Sequence, residues 1–273
     1  MKTTTIEKTT AVINLVAFLG MLTVNILATS LPLNGLTTGE LSDALPNLFV
    51  PIGLTFSIWG VIWVLLGAYL VLQLRTAFGS RGTTAAEPER PSPYSPRVAG
   101  PWFAVNMVLN SAWIFFWHFQ MIGISVVIML GLLFSLIVMF LRTERAIGFD
   151  APENRSFALV PISVYFGWIT IATVANITAF LVSVGWDGFG IPEVGWTVFV
   201  IAVALGLTVA MLLRHRNFAF AAVAVWSFIG IAAKRGTLGT PEGPAVLIAA
   251  AVAAGIVLAL GGVMLAKKPP LTA

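Results

Sequence analysis

The stretch Phe157-Ala-Leu-Val-Pro-Ile-Ser-Val-Tyr165-Phe-Gly-Trp168-Ile-Thr-Ile-Ala172-Thr-Val-Ala-Asn176-Ile-Thr-Ala-Phe-Leu-Val-Ser-Val184 decides the fold, because it contains no charged residue. About 20 mainly apolar residues suffice for a helix to cross a bilayer. A segment in hydrocarbon must satisfy its own backbone groups, so this run reads as a transmembrane helix and not as a strand. Working outward, similar runs fall at about 11–31, 49–74, 101–118, 122–141, 196–213, 218–233 and 245–266. The expected architecture is therefore all-α and integral to the membrane, with about eight spans. Composition agrees: 58% of the 273 residues are hydrophobic and 10% charged, against about 25% charged in soluble domains. Too little polar surface remains to cover a particle in water.

The net charge is +4, with a pI near 9.8. The basic residues lie in short connections between apolar runs, which makes them topological anchors and not a nucleic-acid surface. With the N-terminus in the cytoplasm, that side holds Lys2, Lys8, Arg75, Arg81, Arg90, Arg97, Arg142, Arg145, Arg155, Arg214, Arg216, Lys267 and Lys268. The outer side holds only Lys234 and Arg235. This bias predicts a multi-pass protein of the inner cell membrane with both termini cytoplasmic. The first apolar run is long enough to span, so it is expected to remain as a helix and not to be a cleaved leader. There is no cysteine, which excludes disulfides, thiol catalysis and thiolate metal sites.

Two connections stand out. Residues 75–100 are rich in Pro, Gly, Ser, Thr and charge, and predict a flexible cytoplasmic linker. Residues 33–49 carry turn and cap signals, including Asn34-Gly35, Thr37-Thr38-Gly39-Glu40 and Ser42-Asp43. This outer loop, with Asn34, Glu40 and Asp43, is expected to fold over the mouth of the bundle as a lid.

The nine tryptophans are informative by spacing. Trp59 and Trp63 are one turn apart. Asn106, Asn110, Trp113 and Trp117 share one face of the third span, and Tyr165, Trp168, Ala172 and Asn176 share one face of the fifth. Tryptophans on a membrane helix often anchor it at the interface. Here amides occupy the same faces, and an amide in lipid would lack partners, so these faces should turn inward. Trp59, Asn110 and Asn176 each lie roughly eight residues, about 12 Å, below the outer ends of their spans. Aromatics with a few amides and no charge suit a pocket for a flat apolar ligand. The competing reading is that the amides simply hold helices together.

At these residues the sequence resembles the TspO/MBR family, the tryptophan-rich sensory proteins related to the mitochondrial translocator protein. Phe49-Val-Pro51-Ile-Gly-Leu-Thr-Phe56-Ser-Ile-Trp59-Gly-Val-Ile-Trp63 is similar to its Pro-Pro-x-Trp-x-Phe-x-x-x-Trp-x-x-Leu-Tyr signature. Leu109-Asn110-Ser-Ala-Trp113 resembles its Leu-Asn-x-x-Trp, and Tyr165 to Asn176 its Tyr-x-x-Trp-x-x-Phe-Ala-x-x-Leu-Asn. Ile52, Leu54, Trp63, Val164 and Ile171 depart from those patterns. The resemblance covers roughly residues 10–184. It implies a TspO-like five-helix region over 1–184, followed by an additional three-helix region over 185–273. It also implies a receptor or carrier for a flat hydrophobic ligand of the porphyrin or haem type, bound by Trp59, Trp63, Asn110, Trp113, Trp117, Tyr165, Trp168, Ala172 and Asn176. A light-dependent enzyme acting on porphyrins, and a membrane scaffold or assembly factor without a ligand, are the alternatives it leaves open. No resident cofactor is expected beyond that tetrapyrrole ligand.

Other constellations carry less. His118, at the outer end of its span, reads as an interfacial histidine bonded to water, with axial ligation of a metal tetrapyrrole as the rarer role. His215 between Arg214 and Arg216 reads as an anchor. Lys234 and Arg235 read as side chains reaching the outer interface, or as partners for ligand acids. Lys234 lies at a helix end, which argues against a Schiff base. No metal-ligand cluster, catalytic triad, paired carboxylates or phosphate loop is present in the sequence, so catalysis is not the expectation. Gly255, Gly261 and Gly262 on the last span permit close helix approach and so a homodimer, or equally packing within one chain.

Overall fold

The structure is a computed structural model that describes residues 5–31, 33–45, 47–79, 92–148 and 155–267. Lys2, Arg81, Arg90 and Lys268, four of the residues behind the expected orientation, lie outside the described residues. Ten α-helices follow in order: α1 Thr5–Ser30, α2 Thr38–Asp43, α3 Ile58–Phe78, α4 Pro96–Ala99, α5 Trp102–His118, α6 Ile122–Ile147, α7 Arg155–Ser183, α8 Glu193–His215, α9 Phe218–Leu238 and α10 Gly243–Ala266. Short 3-10 turns occupy Leu33–Gly35, Gly53–Ser57 and Gly188–Gly190. Among the described residues there is no strand.

Among the described residues, seven helices are long and apolar enough to cross a membrane. They are α1, α6, α7, α8, α9, α10 and α3 with its leading 3-10 turn. The expected eighth span, α5, has 17 residues, or about 26 Å. Its length is limited at both ends by backbone geometry. Gly100 enters at φ 59 and Gln120 leaves at φ 55, conformations that no helix continues through.

Large apolar side chains such as Val64, Val127 and Leu265 are exposed on the helix surfaces. Contiguous apolar surface of this extent requires a lipid partner. Threonines on these helices return their hydroxyls to the carbonyl four residues back, as Thr23 does to Leu19 and Thr208 to Ala204. That removes the cost of a free hydroxyl in an apolar medium.

Two apolar cores meet at α7. The first is built by α1, α3, α5, α6 and α7, with Phe18, Ile62, Leu66, Met107, Leu136 and Ile169 among its buried members. The second gathers α8, α9 and α10 against the outer face of α7, through Ile201, Leu212, Phe228, Val246 and Ala250. α7 and α9 are accordingly the most buried of the spans.

α9 comes closest to the first core at two glycines. A Cβ on Gly167 would stand 3.1 Å from the Phe220 carbonyl oxygen, and one on Gly230 would stand 2.1 Å from Thr55 Oγ1. The Gly230 carbonyl accepts from the Ile52 N–H at 3.1 Å, and Trp226 Nε1 donates to the Thr55 carbonyl at 3.0 Å. Gly230→Ala should therefore force α9 off the 53–57 turn. A loss of about 2 kcal/mol is expected from such overpacking, read as a lowered midpoint of thermal unfolding in detergent. An unchanged midpoint would mean that the contact is not tight.

The described parts of the expected linker, residues 75–79 and 92–100, are not flexible connections. Arg75 and its neighbours continue α3 to Phe78, and residues 92–99 form a docked segment. Ser95 caps α4 and donates its hydroxyl to Glu7 Oε1 at 3.3 Å, while Arg97 pairs with the same oxygen at 3.1 Å. Arg142 donates to the Arg97 carbonyl at 2.9 Å. The polar composition that suggested flexibility supplies these docking contacts. Residues 80–91 lie outside the described residues.

Candidate functional site

The tryptophan and amide faces of α3, α5 and α7 turn toward one another. Trp59, the first full turn of α3, stacks on Trp63 with ring centroids 6.4 Å apart and planes at 28°. It meets Tyr165 and Trp168 of α7 edge-on at 5.7 Å and 6.2 Å. Phe56, from the 3-10 turn, adds a second edge contact to Trp168 at 5.7 Å. On α5, Trp113 and Trp117 stack at 5.7 Å with planes 19° apart. Trp59, Trp113, Trp117, Tyr165 and Trp168 are all buried in the first core, with Trp63 and Ala172 partly buried against it.

Asn110 and Asn176 are engaged within the protein at both oxygen and nitrogen. Asn110 Oδ1 accepts from Asn25 Nδ2 at 2.7 Å, and Asn110 Nδ2 donates to the Tyr165 hydroxyl at 2.8 Å. This links α1, α5 and α7. Asn176 Oδ1 accepts from Trp113 Nε1 at 3.0 Å, and its Nδ2 donates to Ser125 Oγ at 2.9 Å. This links α7, α5 and α6. Asn106 turns elsewhere and donates to Ser135 Oγ of α6 at 2.7 Å. The two central amides thus serve as interhelical locks. Four polar atoms of this region are buried without a hydrogen-bond partner: the indole nitrogens of Trp63 and Trp168, Asn106 Oδ1 and His118 Nδ1. A buried donor without an acceptor costs about 1–3 kcal/mol, and two such donors sit beside one aromatic cluster.

The first part of the outer loop, through Asn34 and Thr38, folds against the end of α5. Asn34 adopts φ 58 and donates Nδ2 to the His118 carbonyl at 3.0 Å. Thr38 Oγ1 and His118 Nε2 are 3.0 Å apart, and Trp117 Nε1 donates to the Thr38 carbonyl at 3.4 Å. His118 is completely buried. It is a structural clasp for the loop and not an interfacial residue facing water. Asn25, Ser125, Thr38 and Phe56 also belong to this region. Sequence spacing missed them because each is a single polar or aromatic residue without a periodic companion.

Glu40 closes a capping box with Thr37, the N-cap residue of α2. The Thr37 N–H and hydroxyl donate to Glu40 Oε2 at 2.7 Å and 2.8 Å. The backbone bond first, and the hydroxyl second, hold the Glu40 carboxyl below the ordinary carboxylate range. A lowered folded value means that this contribution is whole above the unfolded value and is lost as pH falls through the folded one. Hydrogen exchange of amides 38–43 is expected to accelerate only in acid, with Glu40→Gln showing the fast rate at neutral pH. Equal rates in the two proteins at neutral pH would refute the latch.

The loop also meets the C-terminal helices. Asp43 pairs with Lys234, and the Leu48 N–H donates to Glu193 Oε1 at 2.8 Å. Arg235, expected to reach outward, is instead buried with Nε unpartnered. Leu54, which stands where the resembled pattern has Trp, is 65% exposed. Among the described residues no group of His, Asp and Glu is placed to hold a metal ion.

No curated protein and no solved structure matches the chain. A family model described as TSPO-like protein matches residues 11–263, running through α8, α9 and α10 as well as the motif-bearing helices. A multi-pass membrane chain with these aromatic clusters, matched over nearly its whole length, therefore belongs to the TSPO-like protein family.

Proposed function

We propose that this protein is a membrane receptor or carrier that takes a flat hydrophobic ligand between α3, α5 and α7, beneath the loop 33–49. A tetrapyrrole is the ligand class suggested by likeness to porphyrin-binding members of the family. The observation that carries the reading is the pair of partnerless indole N–H groups, Trp63 and Trp168, beside Trp59 and Tyr165. They offer stacking faces and two donors to a ring bearing acceptor atoms. Trp113, Trp117 and Ala172 complete the wall, and Asn110 and Asn176 hold the helices that form it. Asn34, Glu40 and Asp43 fasten the loop as a lid. In this reading all eight membrane helices cross the inner cell membrane, α5 included, with both termini cytoplasmic. Helices α1–α7 form the ligand-binding unit, and α8–α10 brace it.

The test is a titration of the detergent-solubilised protein with protoporphyrin IX, followed by tryptophan emission. Saturable quenching is expected. Trp168→Phe keeps an aromatic ring and deletes the donor. It should weaken binding about tenfold, or 1.4 kcal/mol, while lowering the unfolding midpoint less than a large-to-small core change usually does, because loss of an unsatisfied buried group offsets part of the cavity cost. Unchanged emission at saturating porphyrin would sink the proposal.

A further inference from the structure

The half of the bundle nearest the N-terminus contains a second polar constellation, distinct from the aromatic cluster. Asn14 of α1 donates Nδ2 to Gln73 Oε1 of α3 at 3.1 Å, and both side chains are completely buried. One bond between two amides always leaves one carbonyl oxygen and one NH2 group over, whichever way each amide is turned. Here those are Asn14 Oδ1 and Gln73 Nε2, neither with a partner. The Tyr69 hydroxyl faces the side chains of Gln73 and Thr143, yet it too makes no hydrogen bond of acceptable geometry. Thr143 Oγ1 of α6 is the fourth partnerless atom. Threonines elsewhere in the spans bond back to their own helix, as Thr76 and Thr173 do, and Thr143 does not.

Four partnerless polar atoms from three helices therefore share one buried place. Asn14 lies nine residues into α1, about 13 Å from its start. An apolar medium makes each such atom expensive. Their chemistry is complementary: an amide oxygen that accepts, an NH2 that donates, and two hydroxyls that do both. Buried water characteristically makes about three hydrogen bonds to otherwise unsatisfied groups. Phe103 stacks on Tyr69 from one side with centroids 6.1 Å apart, and Tyr94 of the docked segment stands 6.1 Å away on another. Tyr94 is only partly buried, which places the cluster one ring from the end of the bundle.

We propose that Asn14, Tyr69, Gln73 and Thr143 form an internal hydration site that binds ordered water between α1, α3 and α6. The site is independent of the aromatic cluster and of any ligand there. It ties the three helices through water where direct bonds are missing.

Radiolytic hydroxyl labelling in 18O water tests this on the full chain in detergent, because side chains touching bound water are labelled even when shielded from bulk. Tyr69 and Tyr165 make an internal comparison, being 0% and 1% exposed. Tyr165 has its hydroxyl held by Asn110. Tyr69 should incorporate 18O about fivefold faster than Tyr165 if water is bound there. Equal slow rates would overturn the proposal. Thr143→Val, nearly isosteric, should bring the Tyr69 rate down toward that of Tyr165. Asn14→Leu with Gln73→Leu should abolish the difference, and a Tyr69 rate unmoved in both variants would also overturn it.

Discussion

Trp59→Ala is expected to cost about 3–5 kcal/mol of stability, the range for truncating a large buried aromatic. Trp59 is 8% exposed and meets Trp63, Tyr165 and Trp168. Its loss would open a cavity between α3 and α7 that the remaining indoles cannot fill without leaving their rotamers. The measurement is the unfolding midpoint in detergent, with Trp59→Phe as the milder companion. Trp59→Phe should recover more than half of the loss, because a ring remains between α3 and α7. If Trp59→Ala shifted the midpoint no more than a surface change does, the indole would face lipid and the inward arrangement would be wrong.

The second large effect is expected at Asn110. Leu has nearly its volume but none of its polar atoms. In Asn110→Leu the Tyr165 hydroxyl loses its donor, and Asn25 Nδ2 keeps only the Met21 carbonyl, at 2.9 Å. About 3 kcal/mol is expected from breaking a buried network at its centre. Asn25→Leu combined with Asn110→Leu should cost less than the sum of the two single changes, since each removes the same bond. Strict additivity would show that the two amides do not interact. The Asn110→Leu protein should also show faster hydrogen exchange in the last turns of α1, around Asn25, which this amide ties to α5.

The spans were legible because hydropathy alone specifies a lipid-facing helix. α10 was expected at 245–266 and runs Gly243–Ala266, whereas α5, expected as a span at 101–118, forms the helix Trp102–His118 but is not among the seven long and apolar enough to cross. The stripes on α5 and α7 were legible from period 3.6, so the meeting of Trp113 with Asn176 and of Tyr165 with Asn110 follows a pattern readable in the chain. What was not legible depends on contacts between distant residues. The docking of 92–99 rests on Glu7, far away in sequence, so its Pro and Ser content read as linker. Asn25 shares its apolar run with one other amide, Asn14, and only its partner 85 residues on gives it meaning. His118 and Arg235 looked interfacial because each ends a span. The folded loop covers the first, and helices packed around α9 bury the second. Spacing also could not tell which polar atoms remain free. The amides of Asn110 and Asn176 are spent on helix contacts, and the indole nitrogens of Trp63 and Trp168 are not.

The family match reaches through α8–α10, and these helices have a mechanical part in the account. α9 grips the turn that starts α3, through Gly230 and Trp226, and Lys234 holds Asp43 of the loop. Trp59 and the loop are thereby both held by contacts from helices outside the motif-bearing region.

The most direct test of the central claim is a structure determined with protoporphyrin IX bound. The account predicts the macrocycle against the indoles of Trp59 and Trp168, beneath residues 33–49, with acceptor atoms within hydrogen-bond distance of Trp63 Nε1 or Trp168 Nε1. A macrocycle lying on the lipid-facing surface, or among α8–α10, with the Trp59 cluster unchanged, would contradict it.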